Sequence, residues 1–149
     1  MRKLLFAALA VAIGLFGFWA IGAGASRGHS TVHRVTVPES DRFTPFALTI
    51  HRGDVVRWIN NDEDDHTVVG DRPFDTAGHG NADELIAADG GATALRFRHP
   101  GTFVYYCRFH AKLDGFNQPI APGPDGGIQD NTGNFGTPMS GVITVLPGD

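Results

Sequence analysis

Cysteine is almost absent from this 149-residue chain, in which Cys107 is the only one. A lone cysteine excludes a disulfide within the chain. Basic residues are also few, with 12 Lys and Arg against 16 Asp and Glu. Because nucleic-acid binding depends on clustered positive charge, this composition gives no basis for a nucleic-acid partner.

The first 25 residues have the pattern of an export segment. Residues 1–3 carry two positive charges, residues 4–21 form an apolar run, and residues 23–25 supply the small residues of a signal-peptidase site. The run is nearly long enough to span a bilayer, so residues 1–25 are either a signal peptide or an N-terminal membrane anchor. Both alternatives place the functional part outside the cytoplasm, in the periplasm or another extracytoplasmic compartment.

Residues 26–149 suffice for one domain with its own core. Without Arg2 and Lys3, ten basic residues face 16 acidic ones, a formal net charge of −6. Alternating apolar and polar residues predict short strands at residues 32–37, 46–50, 55–60, 66–69, 92–98, 102–107 and 141–146. One helical turn is predicted over residues 82–87. The pattern predicts an all-β fold, a Greek-key antiparallel β-sandwich or barrel.

One segment, residues 111–138, does not show this alternation of apolar and polar residues. It holds four prolines and six glycines and has no strong periodicity. The sequence therefore predicts a long irregular loop here, and loops of this length are commonly functional or disordered.

The residues that carry chemistry are centred on Cys107. His110 follows it by three residues, so one loop can present both side chains, and Met139 is the only methionine left after the export segment. A thiolate, two imidazoles and a weak thioether form the trigonal set with a long axial ligand that is typical of a blue copper site. His66 is the best candidate for the second imidazole, because it follows an acidic loop and opens an apolar strand.

These residues also have structural interpretations. Cys107 fits a buried core thiol, and Met139 fits ordinary core packing. In the second case Gln118 or Gln129 of the long loop, or a backbone carbonyl, would take the axial position. The remaining histidines are expected at the surface or at strand ends, with a second metal contact open for one of them, His79: His29, His33, His51, His79 and His99.

Several motifs occur in one order along the chain. They are Phe-Thr-Pro at residues 43–45, Gly-Asp-Val-Val and Trp-Ile-Asn within 53–60, Phe-Asp-Thr at 74–76, Pro-Gly-Thr-Phe-Val-Tyr-Tyr-Cys at 100–107, and Met-Ser-Gly-Val-Ile-Thr-Val at 139–145. Together with His110 they resemble the cupredoxin family of blue copper proteins, of the plastocyanin, amicyanin and pseudoazurin type.

The resemblance implies a cupredoxin-like sandwich that binds one type 1 copper ion. It implies His66, Cys107 and His110 as equatorial ligands and Met139 as the axial ligand. The implied function is one-electron transfer by Cu(I)/Cu(II) cycling between redox partner proteins, not enzymatic catalysis. A copper-binding or delivery protein and a small copper enzyme with an open coordination position are the alternatives, and zinc is the alternative metal.

Three departures from the family pattern bear on the site. Met139 follows His110 by 29 residues instead of four or five, so the ligand loop carries an insert. Thr67 stands where many relatives have an asparagine that hydrogen-bonds to the cysteine loop. Arg108-Phe109 replaces the common small residue and proline.

Two surfaces are candidates for docking a redox partner. One is an acidic run that would attract a basic protein, formed by Asp62, Glu63, Asp64 and Asp65. The other is the apolar surface through which the second histidine of the family often reaches solvent. In this chain Phe109, Phe116 and Phe135 are its candidate residues around His110.

Overall fold

The computed structural model describes residues 29–71, 83–129 and 136–148. Within these ranges, no helix is long and apolar enough to cross a membrane. The following predicted features lie outside the described residues: the export segment 1–25, the motif at 74–76, His79 and Phe135.

All regular structure in the described part of the chain consists of strands. They are β1 Val32–Val37, β2 Ala47–His51, β3 Val55–Asn60, β4 His66–Gly70, β5 Asp83–Ile86, β6 Ala92–Arg96, β7 Gly101–Tyr106, β8 Lys112–Leu113, β9 Pro119–Ala121 and β10 Ser140–Leu146.

The main strands form two sheets, with the orders β1-β3-β6 and β2-β10-β7-β4-β5. The predicted all-β sandwich is confirmed. The sheets are mixed, however, and not purely antiparallel: β1 pairs with β3 and β10 pairs with β2 in parallel. Alternating hydrophobicity shows which face of a strand is buried. The direction of the neighbouring strand depends on the connection between the two strands, so the sequence pattern could not reveal these two parallel pairs.

The core lies between the two sheets and follows the predicted alternation. On β3, Val56 and Trp58 are buried while Arg57 is exposed. Trp58 reaches across to the Tyr105 ring of β7, with 5.5 Å between ring centroids in an edge-on arrangement. Buried aromatic pairs of this kind add to the stabilisation from burial alone, so the core holds the cysteine end of β7 firmly.

The helical turn predicted over residues 82–87 is wrong. Residues Asp83–Ile86 form the edge strand β5, which pairs antiparallel with β4, and His66 lies opposite Ile86. The fully buried side chain of Ile86 anchors this strand to the core. In so short a segment, pairing and burial outweigh the weak helical preference of the sequence.

Candidate metal centre

Cys107 lies directly after β7, on the strand's inward face. Phe103, Tyr105 and Cys107 are all buried, as their two-residue spacing predicts. The thiol is unpaired and fully enclosed. Its backbone N–H donates to the Met139 carbonyl at 3.1 Å, so the cysteine is tied to the residue that precedes β10.

Two histidines converge on the Cys107 sulfur. His66 opens β4, and His110 closes a turn in which its N–H donates to the Cys107 carbonyl at 3.2 Å. The sulfur lies 3.5 Å from Nδ1 of His110 and 3.8 Å from Nδ1 of His66. His66 is fully buried and His110 is 4% exposed. The structure therefore brings together the three residues that the sequence singles out.

The separations between these donor atoms suit a single metal ion. A first-row ion bonded to thiolate at about 2.3 Å and to imidazole at about 2.0 Å, with a trigonal angle, keeps sulfur and nitrogen about 3.7 Å apart. The two observed separations bracket that value. One thiolate and two imidazoles are donors that copper accepts in both of its common oxidation states. The residues present fit a copper ion.

The surroundings of Cys107 favour the thiolate. Burial by itself would raise the pKa of the thiol, but hydrogen bonds with His110, His66 and the backbone N–H groups of Thr67 and Phe109 lower it to about 6. The pKa of His110 is raised above its ordinary value: burial lowers it, but the Cys107 sulfur and the charges of Asp41 and Asp125 raise it by more. The site thus offers a deprotonated sulfur near neutral pH.

Thr67 links the two halves of the site. Its N–H donates to the Cys107 sulfur at 3.4 Å, and its hydroxyl lies 3.8 Å from the same atom. The hydroxyl oxygen also accepts the N–H of Arg108 at 3.0 Å. In the family pattern an asparagine at this position hydrogen-bonds to the cysteine loop. Thr67 makes a contact of the same kind with its hydroxyl.

Met139 is fully buried beside the cysteine loop. Its N–H donates to the His110 carbonyl at 2.9 Å, and its carbonyl accepts the Cys107 N–H. The two glutamines considered as axial alternatives are exposed. The Gln129 amide donates to the Asp41 carboxylate at 2.7 Å, while Gln118 bonds within its own loop.

Within the segment 111–138, the described residues 111–129 and 136–138 are more regular than the loop predicted there. They contain the small antiparallel sheet β8-β9 and a turn closed by Gly123 and Gly126. That turn packs on the ligand loop, because the Asp125 N–H donates to the Phe109 carbonyl at 3.0 Å. This turn therefore folds back over the site.

This cover corrects the expectation of an apolar surface around His110. The ring is almost fully enclosed, and the groove beside it is mainly acidic. Phe109 packs partly against the core, and Phe116 is exposed elsewhere in the insert. The groove is lined by Asp41, Glu63, Asp64, Asp65, Phe109, His110, Asp125 and Gln129. Among the described residues that line this groove Phe109 is the only apolar one. The insert contributes Asp125 and Gln129, and residues 41 and 63–65 contribute the other acidic side chains.

Asp62 also differs from the sequence expectation. It is buried, and its carboxylate accepts the N–H groups of Glu63 and Asp41, so it is not available for docking. One of its oxygens lies 3.5 Å from Nε2 of His66. Glu63, Asp64 and Asp65 are exposed, as expected.

Asp41 is a site residue that sequence reasoning missed. Its Oδ1 lies 3.5 Å from Nε2 of His110 and 3.7 Å from Nε2 of His66. It occupies a turn with a φ of 51°, a conformation that Asp tolerates better than most residues. A turn acid 25 residues before His66 carries no local sign of this contact, so only the fold reveals it.

The remaining described histidines lie away from the centre. His29, His51 and His99 are exposed. His33 is partly buried on β1, and its Nε2 lies 2.8 Å from the Asp54 carboxylate.

The chain is similar to known copper proteins. The chain matches the family model of copper binding proteins, plastocyanin/azurin family, over residues 33–115. It is 33% identical to plastocyanin of Scenedesmus fuscus over 73 residues, which cover 46% of this chain and 74% of that protein. The family match includes His66, Cys107 and His110 and ends before Met139.

Solved amicyanin structures share the fold. A methionine-to-glutamine variant in its Cu(I) form is 18% identical, with a TM-score of 0.50 over 77% of this chain and 82% of that one. A reduced tryptophan-to-tyrosine variant is 17% identical, with a TM-score of 0.50 over 80% of this chain and 87% of that one. At such identities the likeness establishes the β-sandwich fold alone.

Proposed function

Because the chain belongs to the plastocyanin/azurin family of copper binding proteins, we propose that it is an exported type 1 copper protein that carries single electrons between redox partners. Copper is the cofactor of this family. In our proposal His66, Cys107 and His110 would hold the ion, and the Met139 thioether would be its fourth, weaker ligand. The observation that carries the proposal is the convergence of one sulfur and two Nδ1 atoms in an enclosed site.

The chain's own residues prepare the site for the ion. The Cys107 thiol, with its pKa lowered to about 6, supplies a thiolate near neutral pH. The rings of His66 and His110 turn Nδ1 towards that sulfur, so with copper bound at Nδ1 each ring would keep its proton on Nε2. When bound, copper supplies the exchange of one electron between Cu(I) and Cu(II).

The rigidity of the scaffold supports a carrier over an enzyme. The three residues are at most 4% exposed and are fixed by β4, β7 and the backbone bonds to Met139. A buried set of donors that rearranges little on changing charge suits electron transfer. The enclosed arrangement leaves little room for a substrate beside the sulfur.

Visible and EPR spectra of the copper-loaded protein test the ligand set. We expect an intense thiolate-to-copper band that disappears in Cys107→Ser and weakens or shifts in His66→Ala and His110→Ala. His51→Ala, which removes an exposed imidazole, is the matched control and should leave the band unchanged. A band that survives in Cys107→Ser would refute the proposal.

Met139 needs its own test, because its sulfur is assigned by position in the chain and by burial. Met139→Leu conserves volume and apolarity in the core. If the thioether is axial, this variant should change both the spectrum and the reduction potential. Unchanged values would make Met139 a core residue only.

Two measurements separate the carrier from the alternatives. A delivery protein should pass its copper readily to a metal-free acceptor, whereas a carrier should retain the ion through repeated oxidation and reduction. A copper enzyme with an open position should bind azide in the oxidised state, with a change in the spectrum. Rapid copper transfer or azide binding would contradict the carrier.

The exposed carboxylates of Glu63, Asp64 and Asp65 support docking of a basic redox partner at the groove beside His110. The rate of electron exchange with a basic acceptor protein should fall as salt is raised, because exposed charges are screened. Neutralising all three residues to Asn or Gln should remove most of the salt dependence. An unchanged salt dependence would rule out this docking surface.

The proposal that the protein is exported is based only on the sequence pattern of residues 1–25. Cell fractionation should find the protein outside the cytoplasm, and its intact mass should distinguish a cleaved signal peptide from a retained anchor. Recovery of the full-length chain in the cytoplasm would contradict this part of the proposal.

A further inference from the structure

The far sides of both histidine rings face one buried carboxylate. Asp41 is 2% exposed, and its Oδ1 lies 3.5 Å from Nε2 of His110 and 3.7 Å from Nε2 of His66. Both Asp41 Oδ1 and His66 Nε2 are buried polar atoms without a hydrogen-bond partner. Buried polar groups without partners are costly and rare, so this juxtaposition requires an explanation.

The other side of Asp41 is firmly held. Its Oδ2 accepts the side-chain amide of Gln129 at 2.7 Å, and its N–H donates to Asp62 at 3.3 Å. The Gln129 backbone N–H in turn donates to the Ser40 carbonyl at 3.1 Å. Gln129 belongs to the insert, so the insert fixes the direction in which Asp41 presents its free oxygen.

The proton positions follow from the ligand geometry. Each ring that gives its Nδ1 lone pair to a metal keeps its proton on Nε2 and can only donate from that atom. Both Nε2 atoms then need an acceptor. For His110 the acid within reach is Asp41, with Oδ1 at 3.5 Å. His66 Nε2 lies 3.7 Å from the same oxygen and 3.5 Å from Oδ2 of Asp62, which already accepts the Asp41 N–H. A carboxylate oxygen has two lone pairs and can accept from both rings.

Resting on the proposed copper site, we propose that Asp41 is a positioning residue that accepts hydrogen bonds from both ligand imidazoles and biases the copper towards Cu(II). The present separations exceed an ordinary N–H···O distance by about 0.5 Å for His110 and about 0.7 Å for His66, and the proposal requires the rings and the carboxylate to close these gaps when copper is bound. A carboxylate behind a ligand histidine fixes the ring orientation and strengthens its electron donation. Stronger donation and nearby negative charge favour the more positive oxidation state.

The alternative use of these atoms is a second cation held by Asp41, Asp62 and His66, whose ligand atoms lie within 4.8 Å of one another. That arrangement would require His66 to use both ring nitrogens as metal ligands and to lose its ring proton. Hydrogen bonding to Asp41 needs no such deprotonation, and we therefore favour it.

The reduction potential of Asp41→Asn in the full-length copper-loaded protein tests the proposal. Outer-shell partners of this kind change metal affinity by about 10-fold to 100-fold. A tenfold loss of Cu(II) affinity relative to Cu(I) raises the potential by about 59 mV, and we expect a rise of at least this size. Asp64→Asn is the matched control, because it removes one exposed charge from the same groove and should shift the potential much less.

A second variant keeps the test decisive if Asp41→Asn does not fold. Gln129→Leu releases the anchor of the carboxylate from an exposed position, and should raise the potential in the same direction by a smaller amount. In NMR spectra of the Cu(I) protein, the Nε2 protons of both ligand histidines should exchange slowly with solvent, and faster in either variant.

The outcomes separate this inference from the proposed function. Suppose that the wild-type protein shows the thiolate-to-copper band and Cys107→Ser loses it, but Asp41→Asn has an unchanged potential. This result would overturn the inference and leave the copper site intact. Binding of a second equivalent of Zn²⁺ that Asp41→Asn abolishes would also overturn it, in favour of a second cation. A copper-loaded wild-type protein without the band would refute the proposed function itself.

Discussion

Replacing Thr67 with valine should destabilise the metal-free protein and lower the reduction potential of the copper-loaded protein. Valine has nearly the shape of threonine but has a methyl group in place of the hydroxyl. The fully buried Thr67 uses that hydroxyl twice, as the acceptor for the Arg108 N–H and as a neighbour of the Cys107 sulfur. The substitution therefore removes polar contacts while leaving the packing nearly unchanged.

The magnitude follows from the contacts that are lost. Leaving the part-buried Arg108 N–H without its acceptor at 3.0 Å costs about 1–3 kcal/mol, and we expect about 1 kcal/mol because Arg108 is exposed enough for water to reach it. The weaker contact to sulfur stabilises the electron-rich thiolate. If it differs by about 0.5 kcal/mol between the two oxidation states, its loss lowers the potential by about 20 mV.

Two assays measure these effects. With a slope of about 2 kcal/mol per M of urea, a loss of about 1 kcal/mol lowers the unfolding midpoint of the metal-free protein by about 0.5 M, and circular dichroism can follow it. Thr49→Val, at an exposed position on β2, is the stability control and should stay within about 0.5 kcal/mol of wild type. Thr67→Ser keeps the hydroxyl and should retain the wild-type potential. An unchanged midpoint or a raised potential in Thr67→Val would refute the reasoning.

Three further predictions concern the core, a buried carboxylate and the insert. Gly141→Ala should cost about 1–3 kcal/mol in thermal unfolding, because its β-carbon would lie 2.5 Å from the Tyr105 ring; Gly148→Ala, with ordinary contacts at 3.6 Å, should be near neutral. Burial would raise the pKa of Asp54, but hydrogen bonds from Thr31, His51 and His33 lower it below its ordinary value. Asp54→Asn should therefore cost about 1.5–3 kcal/mol at pH 7, and urea unfolding should show this difference shrinking as the pH falls through the lowered pKa; a constant difference would contradict it. Gly123→Ala should speed removal of copper by a chelator, because its β-carbon would collide with the Phe109 carbonyl and loosen the cover on His110; Gly115→Ala, in open space, should not.

The features that local chemistry determines could be predicted from the sequence. Alternation along residues 55–60 and 102–107 predicted which side chains enter the core, because successive residues of a strand point to opposite faces. The same alternation places Cys107 inward, and the three-residue spacing allows His110 to meet it. His66 could be chosen because it opens a strand after an acidic loop.

The features that sequence reasoning missed depend on contacts between distant residues. Gln129, 88 positions further along the chain, donates a hydrogen bond to Asp41. This contact holds an acid of surface-like sequence context beside both imidazoles. Asp62 has the sequence context of a solvated charge, yet it is buried by the turn that contains Asp41. A periodic pattern contains no information about such pairs.

The length of the insert is compatible with a well-defined site because its two ends are joined. Closing a loop of 29 residues instead of five costs about 1.6 kcal/mol more in chain entropy. The backbone bonds of Met139 with His110 and Cys107 offset part of this cost and fix the insert's exit. The pairing of Ser140 with Tyr106 across β10 and β7 then sets the position of Met139 independently of loop length. The insert can therefore supply Gln129 to Asp41 and cover His110 without displacing the methionine from the ligand loop.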